Sequence, residues 1–259
     1  MNEFDMNLNF QFLQNKEISN VLKEVLKLSP KNSELYLIGG SVRNALFHTF
    51  FNTYLPQRDF DLVFFGDRKE FENNLLNNSY EEGSSFSKEQ KVFLKKLNDN
   101  SYLTFDELVL DIHFLEKQDL IKMLEENVNF RFQGTTIKLD YIFEKNWFEK
   151  IISINSAIED IKNKKIVLNK KKVKIHDTTF YAMLRFNSFG FSLPPKEDIE
   201  LLLIELKNVS KERVKISENK VIGSIGNKEK LNKILKKIDL EGDIFSYEGI
   251  QNNKIKIRR

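Results

Sequence analysis

The segment 35–63 constrains the fold of this chain more than any other part of the sequence. The apolar run at 35–38 leads into two adjacent glycines, Gly39 and Gly40, and a helix-forming stretch follows them. Because glycine lacks a side chain, a glycine pair at the start of a helix leaves backbone N–H groups accessible at the positive end of the helix dipole. The pattern predicts a strand–turn–helix unit in which a phosphate group can lie beside the turn.

Two carboxylates follow this unit on the next predicted strand. Asp59 and Asp61 flank Phe60, and the run 60–65 is apolar apart from Asp61. Strand side chains alternate with a period of two, so the two carboxylates point to the same side. They repel each other unless a cation lies between them, and a divalent metal is the obvious candidate. A phosphate-binding turn next to such a pair indicates nucleotidyl transfer; the alternative is a pair of surface carboxylates.

A third acid extends this pattern. Asp111 lies in an otherwise apolar strand at 108–114, where an isolated carboxylate is costly without a cation. Nucleotidyl transfer needs a bound triphosphate, one metal ion to activate the attacking hydroxyl and another to stabilise the leaving pyrophosphate. The sequence therefore predicts that Asp59, Asp61 and Asp111 are the catalytic residues and hold two Mg²⁺ ions.

Polar residues near the glycine pair are candidates for nucleotide binding. Ser41 is predicted to cap the helix and offer its hydroxyl to a phosphate that Arg43 neutralises; the alternative is a plain cap with a surface arginine. Arg58, beside the carboxylates, is predicted to form either an ion pair or a contact with the triphosphate. Together with Gly39 and Gly40, these residues form the predicted nucleotide-binding set.

Composition excludes several other kinds of site. The chain has no cysteine, which rules out disulfides, thiolate zinc sites and cysteine nucleophiles. The three histidines are far apart in sequence and lack the helical spacing of a histidine zinc site. No apolar run approaches the ~18 residues of a membrane span, and the N-terminus lacks the apolar region of a signal peptide. A cytoplasmic protein without a membrane partner is the expectation.

Basic residues are concentrated in the second half of the chain. The net charge is only +3, but the segment 161–175 holds seven lysines and no acid, and the end of the chain is basic again. This placement suits a polyanionic partner such as RNA. The alternative is a solvated lysine surface without a partner.

Hydrophobic periodicity predicts a mixed α/β part followed by a mostly helical part, with the boundary near 145–175. Strands are expected at 34–38, 60–65, 108–114 and 135–143, and a polar loop at 77–91. Helices are expected at 17–27, 41–51, 68–76, 120–126, 156–161, 178–189, 196–206, 211–221 and 228–238.

These motifs resemble the head of the class II tRNA nucleotidyltransferase and bacterial poly(A) polymerase family. That family has a strand, Gly-Gly-x-Val-Arg-Asp, a helix and then Asp-x-Asp, in this order. Later segments are also similar: 109–114 to the third carboxylate strand, 132–140 to the strand that follows the family's Arg-Arg-Asp motif, and 158–166 to the end of the head. Residues 183–191 resemble the neck helix, and 209–214 the Ser-x-Glu-Arg turn. The resemblance covers roughly residues 30–235.

The resemblance implies an α+β fold, with a nucleotidyltransferase-type mixed β-sheet head, flanking helices and a smaller, mostly helical neck-like domain. The domains expected are a helical lead-in at 1–30, the head at 31–150, a basic connecting segment at 151–175, the neck-like domain at 176–240 and a basic tail at 241–259. It implies addition of CCA or A to the 3′ end of tRNA or another RNA, from nucleoside triphosphates with release of pyrophosphate. It also implies that Asp177 and Arg185 contact the nucleotide.

The chain departs from the family pattern at one residue and in two short segments. Asn44 stands where the family has the aspartate of Val-Arg-Asp, and 129–131 read Asn-Phe-Arg instead of Arg-Arg-Asp. The family's Glu-Asp-x-x-Arg, which selects the incoming base, is matched only by 176–180, where Asp177 is kept and Phe180 replaces the arginine. We also expect little of the family's body and tail. The likeness thus supports a metal-dependent transferase core, whereas base selection and tRNA binding lack the family's motifs.

Two other functions remain open from the sequence. One is the same chemistry on a nucleotide or protein hydroxyl. The other is an RNA-binding or regulatory module without turnover, against which the intact Asp59 and Asp61 argue, because a carboxylate pair without a metal is a standing cost. The sequence predicts neither the base added nor the oligomeric state, nor whether another subunit supplies the missing tail.

Overall fold

A computed structural model describes residues 10–53, 55, 57, 59–85, 87–98, 107–116, 120–172 and 175–257. The chain forms two compact units. The first unit comprises Met1–Glu125 and Gln133–Lys162, and the second comprises Glu126–Phe132 and Asn163–Arg259. The sequence places the change of organisation at 145–175, and the finer division into five parts remains a prediction.

The first unit is built on a mixed β-sheet. Its described strands are β1 Glu34–Ile38, β2 Phe60–Phe65, β3 Glu81–Glu82, β4 Gln90–Lys96, β5 Glu107–Phe114, β6 Thr135–Lys138 and β7 Ile152–Ser153. They lie in the order β3-β4-β5-β2-β1-β6-β7. Strands β2 and β5 run parallel, and the other neighbouring pairs run antiparallel. The strands that carry the predicted carboxylates are therefore direct neighbours in the middle of the sheet.

The helices in this part of the chain differ in how they begin, and only some have a side-chain cap. They are α1 Lys16–Leu28, α2 Gly40–Phe51, α3 Arg68–Asn77, α4 Leu120–Asn127 and α5 Ala157–Lys162. In α1, the side chain of Asn15 accepts hydrogen bonds from the N–H groups of Glu17 and Ile18, which stabilises the helix by about 1 kcal/mol. The buried residues of α1 follow the helical period, and they are Ile18, Val21, Leu22 and Val25.

The two faces of β5 differ in burial, whereas β2 is buried on both faces except at Asp61. Leu62 and Phe64 of β2 are buried on one face, where the ring of Phe71 from α3 stacks on Phe64 with the centroids 4.4 Å apart. Asp61 and Asp111 are only half-buried and lie on the opposite face. A slip of one residue in β5 would bury Asp111 and expose Leu110 and Ile112, so the apolar residues of this strand hold the acid in place.

The second unit is mostly helical. Its elements are α6 Thr179–Ser188, α7 Lys196–Leu206, α8 Lys211–Ile225, α9 Lys228–Lys237, α10 Tyr247–Gln251, and the paired strands β8 Leu240–Glu241 and β9 Lys256–Ile257. Its core includes stacked rings of Phe130 and Phe132, with Phe186 and Phe191 packed against Phe132 at centroid distances of 4.7 and 4.8 Å. This cluster explains why the short segment Glu126–Phe132 belongs to the second unit. Within the residues that the structure describes, neither unit contains a helix long and apolar enough to cross a membrane.

The α+β class predicted from the sequence is confirmed, and several element boundaries differ. The predicted loop at 77–91 contains β3 and the start of β4. Strand β4 was not predicted because lysines interrupt its apolar alternation. The strand predicted at 135–143 ends at Lys138, after which the chain forms a 3₁₀ turn. Helix α8 continues beyond the predicted end to Ile225 and is terminated by Gly226, whose φ is +91°.

Candidate active site

Gly39 forms the turn between β1 and α2. Its φ of +64° and ψ of −123° are rarely adopted by a residue with a side chain, so glycine is required there. Gly39 is also the N-cap residue of α2, and no side chain in the described part of the chain caps this helix. The first N–H groups of α2 therefore point out of a turn that has no Cβ to cover them, an arrangement that favours an anion.

The carboxylate of Asp61 lies directly against this turn. A Cβ placed on Gly39 would be 3.0 Å from Oδ2 of Asp61. The antiparallel pairing of Leu37 with Leu62 brings the end of β1 beside the start of β2 and so causes this approach. Two motifs separated in the sequence thus meet at one place.

Asp111 completes a pair of carboxylates across the sheet. It is the register partner of Asp61 in the parallel β2–β5 ladder, so both side chains lie on the same face. The side-chain amide nitrogen of Gln90 lies 2.7 and 2.6 Å from the two carboxylate oxygens of Asp111. Nε2 of His113 lies 3.8 Å from Oδ1 of the same carboxylate. Asp111 is therefore oriented by neighbours on two strands.

The other carboxylate of the predicted set, Asp59, lies one residue before β2 and is half-buried. Its backbone carbonyl accepts a hydrogen bond from the side-chain amide of Gln57. Across the described ranges, no group of three or more Asp, Glu or His side chains is placed to hold a metal ion, so the three-carboxylate set remains a prediction. The pair of Asp61 and Asp111 fits Mg²⁺, because this ion is typically bound through one or two carboxylates, with water and substrate phosphates as the other ligands.

The prediction that Ser41 caps α2 is wrong. The helix begins one residue earlier, because Gly39 takes the positive φ that turns the chain, and Ser41 is its second residue. The hydroxyl of Ser41 is fully buried and accepts a hydrogen bond from Nε2 of Gln57 at 2.6 Å. The same amide also binds the backbone of Asp59, so Gln57 connects the start of α2 to the start of β2.

Arg43 provides positive charge next to the glycine turn. Its Nη2 would lie 3.5 Å from a Cβ on Gly40, and its Nε and Nη2 donate to Oδ1 of Asn44 at 3.2 and 2.8 Å. Asn44 thus holds the arginine through a neutral amide oxygen where the family has a carboxylate, so this contact does not neutralise the guanidinium. Arg58 lies outside the described residues.

The remaining predicted nucleotide-binding residues belong to the second unit. Both carboxylate oxygens of Asp177 accept from Nη1 of Arg213 at 2.8 Å. Arg185 of α6 donates from Nε to the hydroxyl of Ser224 on α8 at 3.1 Å. Phe180, at the position of the family's base-selecting arginine, is fully buried. The nucleotide contacts of Asp177 and Arg185 remain predictions.

His176 joins the pair of Asp177 and Arg213. Its Nδ1 lies 2.9 Å from Oδ1 of Asp177, and its Nε2 lies 3.1 Å from Nη2 of Arg213. Because the guanidinium can only donate, this geometry requires an unprotonated Nε2. Burial lowers the pKa of His176, and the charges of Arg213 and Lys172 lower it further against the attraction of Asp177. The neutral imidazole is therefore the form that this network stabilises.

An open cleft of about 590 Å³ adjoins Gln90 at the edge of the sheet. Its lining consists of basic, hydroxyl and amide side chains, namely Arg68, Ser85, Ser87, Lys88, Gln90 and Lys91. Two of its cations form ion pairs, Arg68 with Glu72 at 2.5 Å and Lys91 with Glu82 at 3.0 Å. The cleft gives solvent access to the amide that holds Asp111.

Sequence reasoning missed three residues of these networks: Gln90, Gln57 and Arg213. Gln90 and Gln57 are neutral residues in segments without periodicity, and no local signal distinguishes them. Arg213 does lie in the Ser-x-Glu-Arg turn, so the resemblance offered a signal for it. Its contact with Asp177 nevertheless depends on how α8 packs, which the sequence does not specify.

The fold of this chain is that of the CCA-adding enzymes. The Thermotoga maritima CCA-adding enzyme complexed with tRNA matches with a TM-score of 0.64 and 17% identity, over 95% of this chain and 55% of the enzyme. A CCA-adding enzyme in complex with CTP matches with a TM-score of 0.60 and 18% identity, over 90% and 54%. The Bacillus stearothermophilus enzyme with CTP matches with a TM-score of 0.51 and 15% identity, over 79% and 48%.

The resemblance seen in the glycine and aspartate motifs is thus confirmed at the level of the fold. The chain spans about half the length of the enzymes that it matches. Scans of the sequence against protein-family models and against curated proteins find no match.

Proposed function

We propose that this chain is a metal-dependent nucleotidyltransferase that adds nucleotides, of the CCA or A type, to the 3′ end of tRNA or another RNA. The observation that carries the proposal is the meeting of Asp61 and Asp111 in register beside the turn at Gly39. A carboxylate pair for a cation and a helix N-terminus for a phosphate are the two parts that this reaction requires. The shared fold supports the same reaction class.

In this proposal the RNA 3′-hydroxyl attacks the α-phosphorus of a nucleoside triphosphate, a phosphodiester bond forms and pyrophosphate leaves. The N–H groups at Gly40 and Ser41 bind phosphate oxygens, and Arg43 neutralises part of their charge. Asp61 and Asp111, with Asp59, hold Mg²⁺. When bound, the metal supplies Lewis-acid stabilisation of the charge that develops on the phosphate oxygens. Gln90 orients Asp111, and Gln57 keeps α2 and β2 together.

A second candidate keeps this chemistry but uses a nucleotide or protein hydroxyl as the acceptor in place of RNA. Two observations in the second unit favour it: Phe180 is buried where the family has its base-selecting arginine, and the carboxylate of Asp177 is bound by Arg213. Without the family's base-selecting pair, the chain lacks the side chains that would specify the order of bases in a CCA end.

The test is nucleotide addition by the purified protein. Labelled tRNA transcripts that end before or within CCA are incubated with Mg²⁺ and each nucleoside triphosphate, singly and mixed. The control protein carries Asp59→Ala and Asp61→Ala, and a second control carries the exposed substitution Asp140→Ala.

Extension by the wild type and by Asp140→Ala, but not by the double variant, is the expected result, and the nucleotides used give the base choice. No extension of any transcript, with nucleotide binding retained, would contradict the RNA assignment and favour the second candidate. If the wild-type protein neither extends a transcript nor binds a nucleotide, the whole proposal is contradicted.

A further inference from the structure

Among the described helices of the second unit, α9 has the highest net positive charge. Helix α9 carries five lysines and one glutamate in ten residues, a net charge of +4, whereas α7 carries one lysine and four acids. A generally lysine-rich composition would not separate the signs by helix in this way. The lysines of α9 are Lys228, Lys230, Lys233, Lys236 and Lys237, and all are exposed.

The packing of α9 forces these lysines to point outward. Leu231 and Ile234 are buried in the second unit, at 4% and 7% exposure, and they fix which side of the helix faces the core. Lys233 forms an ion pair with Glu229 at 3.0 Å, and both side chains are more than two-thirds exposed. In the described part of the chain, α9 therefore has an apolar side that is occupied and a basic side that is open to solvent.

Helix stability accounts for only part of this arrangement: Lys236 and Lys237 lie in the last turn, where cations are favourable, and Lys233 pairs with Glu229. Lys233 has like charges three or four residues away at Lys230, Lys236 and Lys237, and each such pair destabilises a helix by roughly 0.2–0.5 kcal/mol. The helix start is already secured by Asn227, whose side chain accepts from the N–H of Lys230 at 2.9 Å. Lys228 and Lys230 lie at the positive end of the helix dipole, where cations are unfavourable. A polyanionic partner would offset this local repulsion.

We propose that the exposed lysine side of α9 binds the phosphate backbone of RNA. Lysine has no acceptor and is a flexible point charge, so such a surface binds phosphates and does not read bases. A bilayer is disfavoured as the partner because membrane-surface helices insert an apolar side, and that of α9 is buried. The identity of the polyanion as RNA rests on the proposed function, whereas the basic surface itself does not.

The spacing of the lysines sets the expected size of the effect. Lys230 and Lys237 are seven residues apart, which corresponds to about 10 Å along the helix axis. Phosphates of one nucleic-acid strand are spaced by about 3.4 Å along its axis, so the surface can neutralise about two to three of them. Each contact adds about 0.7–0.9 to the slope of log K against log salt concentration.

The experiment measures RNA binding without catalysis. A labelled tRNA transcript is titrated by fluorescence anisotropy in EDTA, without nucleotide, at several KCl concentrations. One variant carries Lys→Gln substitutions at 230, 233, 236 and 237. The matched control carries Lys→Gln at 16, 27, 31 and 69, four exposed lysines of the first unit, and so loses the same charge. A third variant carries Lys→Arg at the four α9 positions.

We expect the α9 glutamine variant to lose about two units of the salt slope and at least tenfold in affinity near 0.1 M salt. The first-unit control and the arginine variant should stay within about threefold of the wild type. Glutamine has nearly the helix propensity of lysine, so circular dichroism should be unchanged. Equal losses in both glutamine variants, or an unchanged salt slope, would overturn the proposal.

A parallel arm uses vesicles that contain anionic lipid. Binding to vesicles that depends on the α9 lysines, with RNA binding unaffected, would also overturn the proposal. Because the RNA titration contains neither metal nor nucleotide, its outcome is independent of transfer activity. A wild type that binds RNA through α9 but adds no nucleotide would contradict the proposed function and support this inference.

Discussion

Gln90 and Asp111 lie on adjacent antiparallel strands, and one amide nitrogen of Gln90 contacts both carboxylate oxygens of Asp111, at 2.7 and 2.6 Å. The amide nitrogen of Gln90 is nearly equidistant from both oxygens, so it occupies the position that a cation bound by both oxygens would take. The other lone pairs of the carboxylate point away from the amide, so Asp111 can still bind an ion through a single oxygen. Monodentate carboxylates suit Mg²⁺, whereas Ca²⁺ readily accepts bidentate ones.

The first prediction concerns metal preference. Gln90→Ala frees both oxygens of Asp111, so affinity for Ca²⁺ relative to Mg²⁺ should rise by about fivefold. Isothermal titration calorimetry with each ion measures this ratio directly. Gln251→Ala removes an exposed glutamine of the second unit and should leave the ratio unchanged. An unchanged ratio in Gln90→Ala would mean that the amide does not control how Asp111 binds ions.

The second prediction compares the two glycines of the turn. Gly39→Ala places a Cβ in a backbone region with positive φ and 3.0 Å from Oδ2 of Asp61, so unfolding free energy should fall by about 2–3 kcal/mol. Gly40 lies within α2, and the Cβ that Gly40→Ala adds would meet only the flexible end of Arg43, at 3.5 Å. That variant should be as stable as the wild type or more stable by up to about 1 kcal/mol.

Urea unfolding of both variants distinguishes these cases, and nucleotide binding should weaken in Gly39→Ala. Equal stability of the two variants would contradict the assignment of Gly39 as the residue that requires a positive φ.

The central strands were predictable because the residues that favour a strand locally are also the residues that the sheet buries. In β2 the apolar run is interrupted only by Asp61, and the same residues that favour a strand also form the buried face. The turn at Gly39 follows from the glycine itself. Such features depend on a few neighbouring residues, which the sequence displays directly.

The missed features depend on partners that are distant in sequence. The contact between Gln90 and Asp111 exists only because β4 pairs with β5 in one register, and β4 has too many lysines to be recognised as a strand. Helix α8 passes through Gly223, which costs about 1 kcal/mol relative to alanine, because Val221 and Ile225 are buried on either side of it. Burial of these two side chains thus extends α8 past the glycine, where the sequence predicted that the helix ends.

The third prediction concerns pH. The pKa of His176 is lowered from its ordinary value of 6.5, chiefly by burial, so below this value the unfolded chain binds more protons than the folded one. Unfolding free energy should therefore decrease as the pH falls from about 7 toward the lowered pKa. In His176→Gln this part of the pH dependence should disappear.

Denaturant unfolding at several pH values between about 5 and 7.5 measures this difference. An NMR titration of the His176 ring, assigned with the variant, should give a midpoint below 6.5. A midpoint above 6.5 would mean that the attraction of Asp177 outweighs burial and the charges of Arg213 and Lys172.

The last prediction separates structural and metal-binding roles of the carboxylate pair. Asp61 and Asp111 are direct neighbours across two strands, and like charges in such positions destabilise a sheet by about 0.2–1 kcal/mol. In EDTA, Asp61→Asn should therefore be more stable than the wild type by about this amount. In Mg²⁺ with a nucleoside triphosphate the order should reverse, because only the wild type gains the binding energy.

Thermal unfolding in both conditions gives the comparison, and Asp140→Asn, an exposed residue of the same unit, controls for the loss of one negative charge. The control should show the wild-type stabilisation by Mg²⁺ and nucleotide. If Asp61→Asn is instead less stable than the wild type in EDTA, the carboxylate is needed for the fold itself, and its position beside Gly39 would reflect packing and not a cation site.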